Sequence, residues 1–254
     1  MEQKLMPFKI QVYGLSDIGL QRENNEDVWA ELPEEHLYVL ADGMGGHQAG
    51  EVASSEAVSC FCELMRKVLA KENRILNLKE MRFAIKSGIE LVNQIIYEMG
   101  RGDEILLGMG TTLCCLHFHE EGIIYAHVGD SRIYRLRNDK LSQLTKDHSL
   151  LRELVDKGSI SESDSKEFAY RNIITKAVGT EPYVTPTVQT TDYRNDDLYL
   201  MCSDGLTDLI SKHEIETVLK ENADLKNCAE VLVQAAKDKG GFDNITVVLL
   251  KLTT

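Results

Sequence analysis

The sequence predicts an α+β fold in which two antiparallel sheets lie face to face with helices packed outside them. Three observations carry this. Short apolar runs recur through most of the 254 residues, several follow one another across turns too tight for a helical crossover, and clear helical spacing is confined to four stretches. Strands joined by tight turns pair antiparallel, whereas a parallel sheet would alternate strands with helices.

The elements follow in order. "FKIQVYGLS" (8–16) and "LYVLAD" (37–42) read as strands. Over 50–70, Val52, Ala53, Ala57, Cys60, Phe61, Leu64 and Met65 share one helical stripe; over 78–99, Met81, Ile85, Ile89, Val92 and Ile96 share another. "GTTLCCLHFH" (110–119) and "GIIYAHVGD" (122–130) are parted by Glu120, Glu121 and Gly122, which signals a hairpin, and "SRIYRLR" (131–137) leads into a second at Asn138-Asp139-Lys140. Residues 147–175 break the pattern. Ser161, Ser163, Asp164 and Ser165 are turn-like, with short helical pieces beside them, and predict a surface flap. Strands at 184–190 and 196–204, helices at 212–221 and 225–238, and a last strand at 244–252 complete the chain.

Bulk composition excludes several functions. A formal net charge of −13 opposes binding to nucleic acid or to an anionic membrane. The six cysteines form no C-x-x-C pair, and vicinal Cys114 and Cys115 would point to opposite faces of a strand, so buried free thiols are expected. The opening residues lack a secretory h-region, and no apolar run approaches the roughly 18 residues of a membrane span. A cytoplasmic protein is expected.

The stretch "VLADGMGGHQAG" (39–50) suggests a phosphate-cradling loop, but the details refuse it. Gln48 stands where a dinucleotide fingerprint needs its third glycine, no lysine supplies a P-loop, and Met44 and Gly46 offer no side-chain oxygen to an EF-hand. The informative residue is Asp42. Apolar runs end at Asp42, at Asp130 in "AHVGDS" and at Asp204 in "LMCSDG", while Asp243 precedes the run "ITVVLL" and "NNED" ends in Asp27. Strands that end at a common rim would bring these carboxylates together. Two carboxylates about 4 Å apart repel by roughly 4 kcal/mol at an effective dielectric near 20. Hard divalent cations answer that repulsion with oxygen ligands, and bare glycines beside Asp42 would let a carbonyl approach one closely.

Eight motifs in order then resemble one family: "GLQRENNEDVW" (19–29), "LYVLADGMGGHQAGEVAS" (37–54), "GTT" (110–112), "HVGDSRIYRL" (127–136), "LTKDHS" (144–149), "NIITKAVG" (172–179), "LYLMCSDGLTD" (198–208) and "DNITVVLL" (243–250). The chain resembles the PPM family, the metal-dependent type 2C protein serine/threonine phosphatases, in their bacterial branch. The resemblance implies a four-layer α-β-β-α sandwich, one catalytic domain over 1–254 with the flap near 147–175, and two Mn²⁺ or Mg²⁺ ions with a weaker third. It implies that Asp42 bridges the two ions, that the Gly43 carbonyl binds one, and that Asp204 and Asp243 bind the other. Glu26 and Asp27 would hold metal-bound waters, and Asp130 with Asp204 would form the third site. A metal-activated water would attack phosphorus directly, without a phosphoenzyme. Arg22 would grip the phosphate through its planar fork.

Met44 stands where animal relatives carry histidine, so His47 is the candidate proton donor to the leaving seryl oxygen. Lys176 stands where the family often shows arginine and fits substrate contact or core-edge packing equally. His148 lies at the flap entrance and could meet substrate. His117 and His119 share one strand face, read here as solvated. Phosphoserine and phosphothreonine proteins, a cognate Ser/Thr kinase and a monomeric state complete the expectation. Retention of Asp42, Asp204, Asp243 and Arg22 argues against a catalytically silent regulatory module.

Overall fold

A computed structural model describes residues 8–45, 49–71, 76–161, 164, 168, 170 and 172–253. In chain order the elements are β1 (Lys9–Asp17), β2 (Asp27–Leu32), β3 (Leu37–Met44), α1 (Ala49–Lys71), α2 (Leu78–Gly102), β4 (Gly110–Thr111), β5 (Leu113–His119), β6 (Gly122–Val128) and β7 (Arg132–Arg137). There follow β8 (Lys140–Gln143), α3 (Leu150–Asp156), β9 (Thr187–Thr191), β10 (Leu198–Cys202), α4 (Asp204–Thr207), α5 (Lys212–Glu221), α6 (Leu225–Asp238) and β11 (Ile245–Thr253). One sheet runs β1-β11-β10-β7-β8; the other runs β2-β3-β5-β6-β9, with β4 paired to β3. Among the described residues every strand pair is antiparallel.

The period of two along each strand builds the layers. On β11, Ile245, Val247 and Leu249 face α5 and α6, while Val248, Leu250 and Leu252 face the other sheet. On β3, Val39 and Ala41 face α1 and α2, while Tyr38 and Leu40 face inward between the sheets. Three apolar layers result, one under each helix pair and one between the sheets, as the predicted four-layer sandwich requires. Phe118 anchors the middle layer, edge-on to Tyr38 at 5.9 Å and to Tyr199 at 5.4 Å. Such pairs add about 0.5–1.5 kcal/mol beyond the area they bury.

Several expectations hold and some shift. The helices at 212–221 and 225–238 are α5 and α6, and Asn77 closes a capping box at the start of α2. Asn138 and Asp139 both take positive φ (50° and 58°), the two-residue turn that suits the strand twist of β7–β8. The stretch 184–190 yields only β9 from Thr187, because Pro186 has no N–H to donate. Residues 110–119 split into β4 and β5 at Thr112, and β2 adds a strand not expected from the sequence. His117 and His119 correct the solvated-face reading: they are 5% and 4% exposed. Both faces of β5 are covered, and these two point to the helix side, where His119 Nε2 meets the Leu76 carbonyl at 2.9 Å. The vicinal thiols do divide, Cys115 beneath the helices and Cys114 between the sheets. No described helix is long and apolar enough to cross a membrane.

One end of the sandwich is closed by paired charges. Asp197, 1% exposed, receives Arg137 through two bonds (Nε–Oδ1 2.7 Å, Nη2–Oδ2 2.6 Å), the Tyr199 hydroxyl at 3.0 Å and the Arg194 N–H at 2.8 Å. Arg137 also holds Asp192 beyond β9, so the cluster ties one sheet to the other. Removing one partner of such a pair strands a buried charge. Asp197→Ala is therefore expected to lower the unfolding free energy by about 3 kcal/mol, read from the urea midpoint at unchanged m-value.

Candidate active site

The opposite end of the sandwich carries the acids. Asp42 continues the Tyr38–Leu40 face of β3, and Asp27 on β2 stands directly across from it in the register. Asp204 opens α4 just beyond β10, Asp243 lies just before β11, and Asp130 follows Gly129 after β6. Because β3, β6, β10 and the start of β11 all reach this rim, five aspartates distant in sequence converge there.

Their backbones are held by groups with no charge. Thr112 accepts the Asp42 N–H on its hydroxyl at 2.9 Å and returns its own N–H to the Asp42 carbonyl at 2.8 Å. The Thr111 hydroxyl donates to that carbonyl at 2.8 Å, and Thr112 Oγ1 pairs with Ser131 Oγ at 2.8 Å, joining the Asp42 and Asp130 turns. Ser203 donates to Asp27 Oδ2 at 2.7 Å and accepts the Thr246 N–H at 3.0 Å. Asn244 accepts the Glu26 N–H at 2.8 Å and donates to the carbonyls of Ile18 and Asn24 at 3.0 and 2.9 Å; its own N–H caps Asp243 Oδ1 at 2.8 Å. The loop bearing Arg22 is thereby tied to Asp243. Thr111, Thr112, Ser203 and Asn244 lie within the sequence motifs, but the sequence alone assigns them no role. The signal available was their place, each beside an aspartate or at the break in a strand.

The glycines have a steric cause. A Cβ on Gly43 would stand 2.1 Å from the Gly50 carbonyl oxygen, and one on Gly50 would stand 2.0 Å from Glu26 Oε2. Only bare backbone lets the start of α1 settle against β3 and Glu26. Gly43 N–H donates to the Glu26 carbonyl at 3.0 Å.

Electrostatics reflect the crowding. Burial first, then the charges of Asp27, Asp204, Asp130 and Asp243, push the Asp42 carboxyl well above its ordinary range. Burial, with Asp130, Asp208 and Asp243, does the same to Asp204. Asp130 rises to about 7 through burial and Asp147, and Asp27 to about 6 through burial, Asp243 and Glu26 despite the hydroxyls of Thr246 and Ser203. Glu26, 8% exposed, is raised mainly by burial. Asp27 Oδ1 and Asp130 Oδ1 are buried with no hydrogen-bond partner among the described residues. Arg22 meets Asp243 Oδ2 at 2.7 Å, with half of its side chain exposed.

This donor set fits a hard divalent cation, since it is all carboxylate and carbonyl oxygen, short of positive charge and partly unsatisfied. The side chains are not drawn to one point: among the described residues no three His, Cys, Asp or Glu stand close enough to hold a single ion. The other candidates separate from the cluster. His148 accepts the Gly129 N–H on Nδ1 at 3.2 Å, reaches Thr187 Oγ1 through Nε2 at 3.0 Å and stacks on His127 at 4.5 Å. Lys176 is exposed rather than at a core edge. His47, with Ser163 and Ser165 of the expected flap, lies outside the described residues.

The family model of protein phosphatase 2C matches residues 21–240. The chain belongs to that family. Protein phosphatase PhpP of Streptococcus pneumoniae is 37% identical over 241 residues, covering 94% of this chain and 96% of the relative. The serine/threonine phosphatase PstP/Ppp of Mycobacterium tuberculosis superposes with a TM-score of 0.85 at 35% identity, covering 96% of this chain and 99% of the other. The catalytic domain of serine threonine protein phosphatase PstP, described in complex with two manganese ions, gives 0.82 at 34% identity over 97% and 100%. The motif order and the layered fold expected from the protein phosphatase 2C resemblance are thus borne out.

The raised carboxyls give a pH test of the rim. Asp27 and Asp130 hold protons more tightly folded than unfolded, so between about pH 4 and 7 the folded chain binds the extra protons and stability falls as pH rises. Below that window the contribution is fully present. Glu214, held down to about 2 by Lys239, titrates below it and in the opposite sense. In unfolding titrations of the metal-free chain, Asp130→Asn is expected to flatten the decline between about pH 5 and 7. An unchanged slope would remove Asp130 from the account.

Proposed function

We propose that this chain is a Mn²⁺- or Mg²⁺-dependent protein phosphatase that hydrolyses phosphoserine and phosphothreonine and opposes a Ser/Thr kinase in the cytoplasm. The observation that carries the reading is the convergence of Asp27, Asp42, Asp130, Asp204 and Asp243 on one rim beside Arg22, in a chain of the phosphatase 2C family. Asp42, the Gly43 carbonyl, Asp204 and Asp243 would together hold two ions, and Asp130 with Asp204 a weaker third. Glu26 and Asp27 would act from behind, through water. When bound, such ions supply a water ionised near neutral pH and offset the charge of the phosphoryl group.

The chain's own residues do the rest. Arg22, exposed and already engaging one anion, has the planar fork to exchange Asp243 for two phosphate oxygens. Asn244 fixes the loop that carries it. His47 is proposed to give the leaving seryl oxygen its proton, since Met44 has none to offer. A covalent intermediate is not required, and the thiols suit that: burial pushes Cys115 and Cys202 up to about 12, leaving no thiolate nucleophile at neutral pH. One catalytic domain spans the chain in this reading, and the 147–175 excursion, opening with α3, serves as a flap over the substrate.

Phosphoserine and phosphothreonine peptides are expected to be hydrolysed with Mn²⁺ and not after chelation. Asp204→Asn is expected to reduce kcat at least about 10³-fold while circular dichroism and the unfolding midpoint stay native. Turnover that survives full chelation would overturn the reading.

A further inference from the structure

Two loops at the acid rim hold large apolar side chains out to solvent. Leu20 is 60% exposed and Phe242 54%, and Ile18, on the same loop as Leu20, is 39% exposed. Scattered singly, such residues need no explanation, but a group on one face marks a contact surface. The two loops also carry the candidate site. Leu20 lies two residues before Arg22, and Phe242 directly precedes Asp243. The Arg22–Asp243 pair, 2.7 Å apart, therefore borders the group.

The loops are locked to each other. Leu20 N–H donates to the Gly241 carbonyl at 2.8 Å, and Asn244 Nδ2 donates to the Ile18 carbonyl at 3.0 Å. Lys237 reaches from α6 to both carboxyl oxygens of Asp17 at 3.1 and 2.8 Å, and Asp17 in turn accepts the Gly19 N–H at 2.8 Å. Gly240 and Gly241 both take positive φ (122° and 50°) and form the seat of the group. A Cβ on Gly240 would stand 2.4 Å from the Phe242 ring, and one on Gly241 would stand 3.0 Å from Leu20 Cγ. Leu20 and Phe242 thus rest on consecutive residues of one turn. A surface already fixed in this way loses little entropy when a partner settles on it. The rim narrows the choice of partner. The charges of Asp243, Glu26 and Asp42 all reach Arg22, so a second acidic group arriving with a phosphate is repelled, whereas an apolar group gains contact.

We propose that Leu20 and Phe242 form a subsite for an apolar side chain of the phosphoprotein substrate, one to three residues from the phosphoserine or phosphothreonine, roughly 3–10 Å of extended chain. The inference rests on the phosphatase reading above and adds a sequence preference to it. Continuity with the Arg22–Asp243 pair sets the occupant: a chain whose phosphate lies on Arg22 passes over this turn as it leaves the rim.

The test is hydrolysis, with Mn²⁺, of phosphothreonine peptides carrying leucine, glutamine or lysine at each of the three positions on either side. At one position leucine is expected to raise kcat/KM about tenfold over glutamine. The gain should appear in KM with kcat unchanged, because the contact is equally present before and at the transition state, and it should survive added salt. The double variant Leu20→Gln/Phe242→Gln is expected to lose the gain while hydrolysing a single blocked phosphothreonine, which has no neighbours, as wild type does. Leu20→Gln alone is expected to lose most of it. No gain for leucine at any position, a gain that survives the double variant, or lysine outranking leucine throughout would overturn the subsite. A wild-type dimer in sedimentation velocity that the double variant dissociates would give the surface to a second copy of the chain and equally overturn it. Hydrolysis of none of the peptides would instead overturn the phosphatase reading itself.

Discussion

Carboxylates set opposite one another at the edge of a sandwich repel, and the rim of this protein is built to hold them there. Asp27 and Asp42 face each other across paired strands, a placement that destabilises a sheet when both are charged. What restrains them is neutral. Thr111 and Thr112 grip the Asp42 backbone, Ser203 and Thr246 reach Asp27, and Asn244 spans from Glu26 to Asp243. Hydroxyl and amide partners fix position without cancelling charge. The negative field is left available to a ligand.

The two ends of the fold treat buried acids in contrary ways. At the Asp197 end the carboxylate is matched by a bidentate guanidinium, a phenol and a backbone N–H, and the result is a staple between sheets. At the Asp42 end, burial and mutual repulsion raise the carboxyls, and among the described residues two of their buried oxygens meet no donor. The same sandwich supplies the rigidity for both. Its three apolar layers end at the rim, where the inward-facing positions of β2 and β3 change from Trp29, Tyr38 and Leu40 to Asp27 and Asp42. Stability is concentrated in one place and chemical potential in another.

Much of this was legible in the sequence, for identifiable reasons. Aspartates at strand ends are visible because the apolar run stops there, and α5 and α6 show the plain periodicity of one-sided helices. The neutral clamps were not legible. A threonine or serine beside an aspartate looks like any turn residue until the partner strand, some 20 to 180 positions away, is in place. His117 and His119 misled for a related reason: polar alternation on β5 suggested water, but α1 and α2 cover that face. For the glycines after Asp42 the structure supplies a steric cause of its own, the tight seat of α1 against β3 and Glu26, which is separate from the close metal approach expected from the sequence.

The proposed metal-dependent reaction requires that a divalent cation displace protons from these crowded carboxyls. Calorimetric titration of Mn²⁺ at about pH 6, repeated in buffers of different ionisation enthalpy, measures that exchange directly. Binding is expected to release protons to the buffer, in a number that falls as pH rises above about 7. Saturable binding with no proton release at pH 6, or no binding at all, would contradict it.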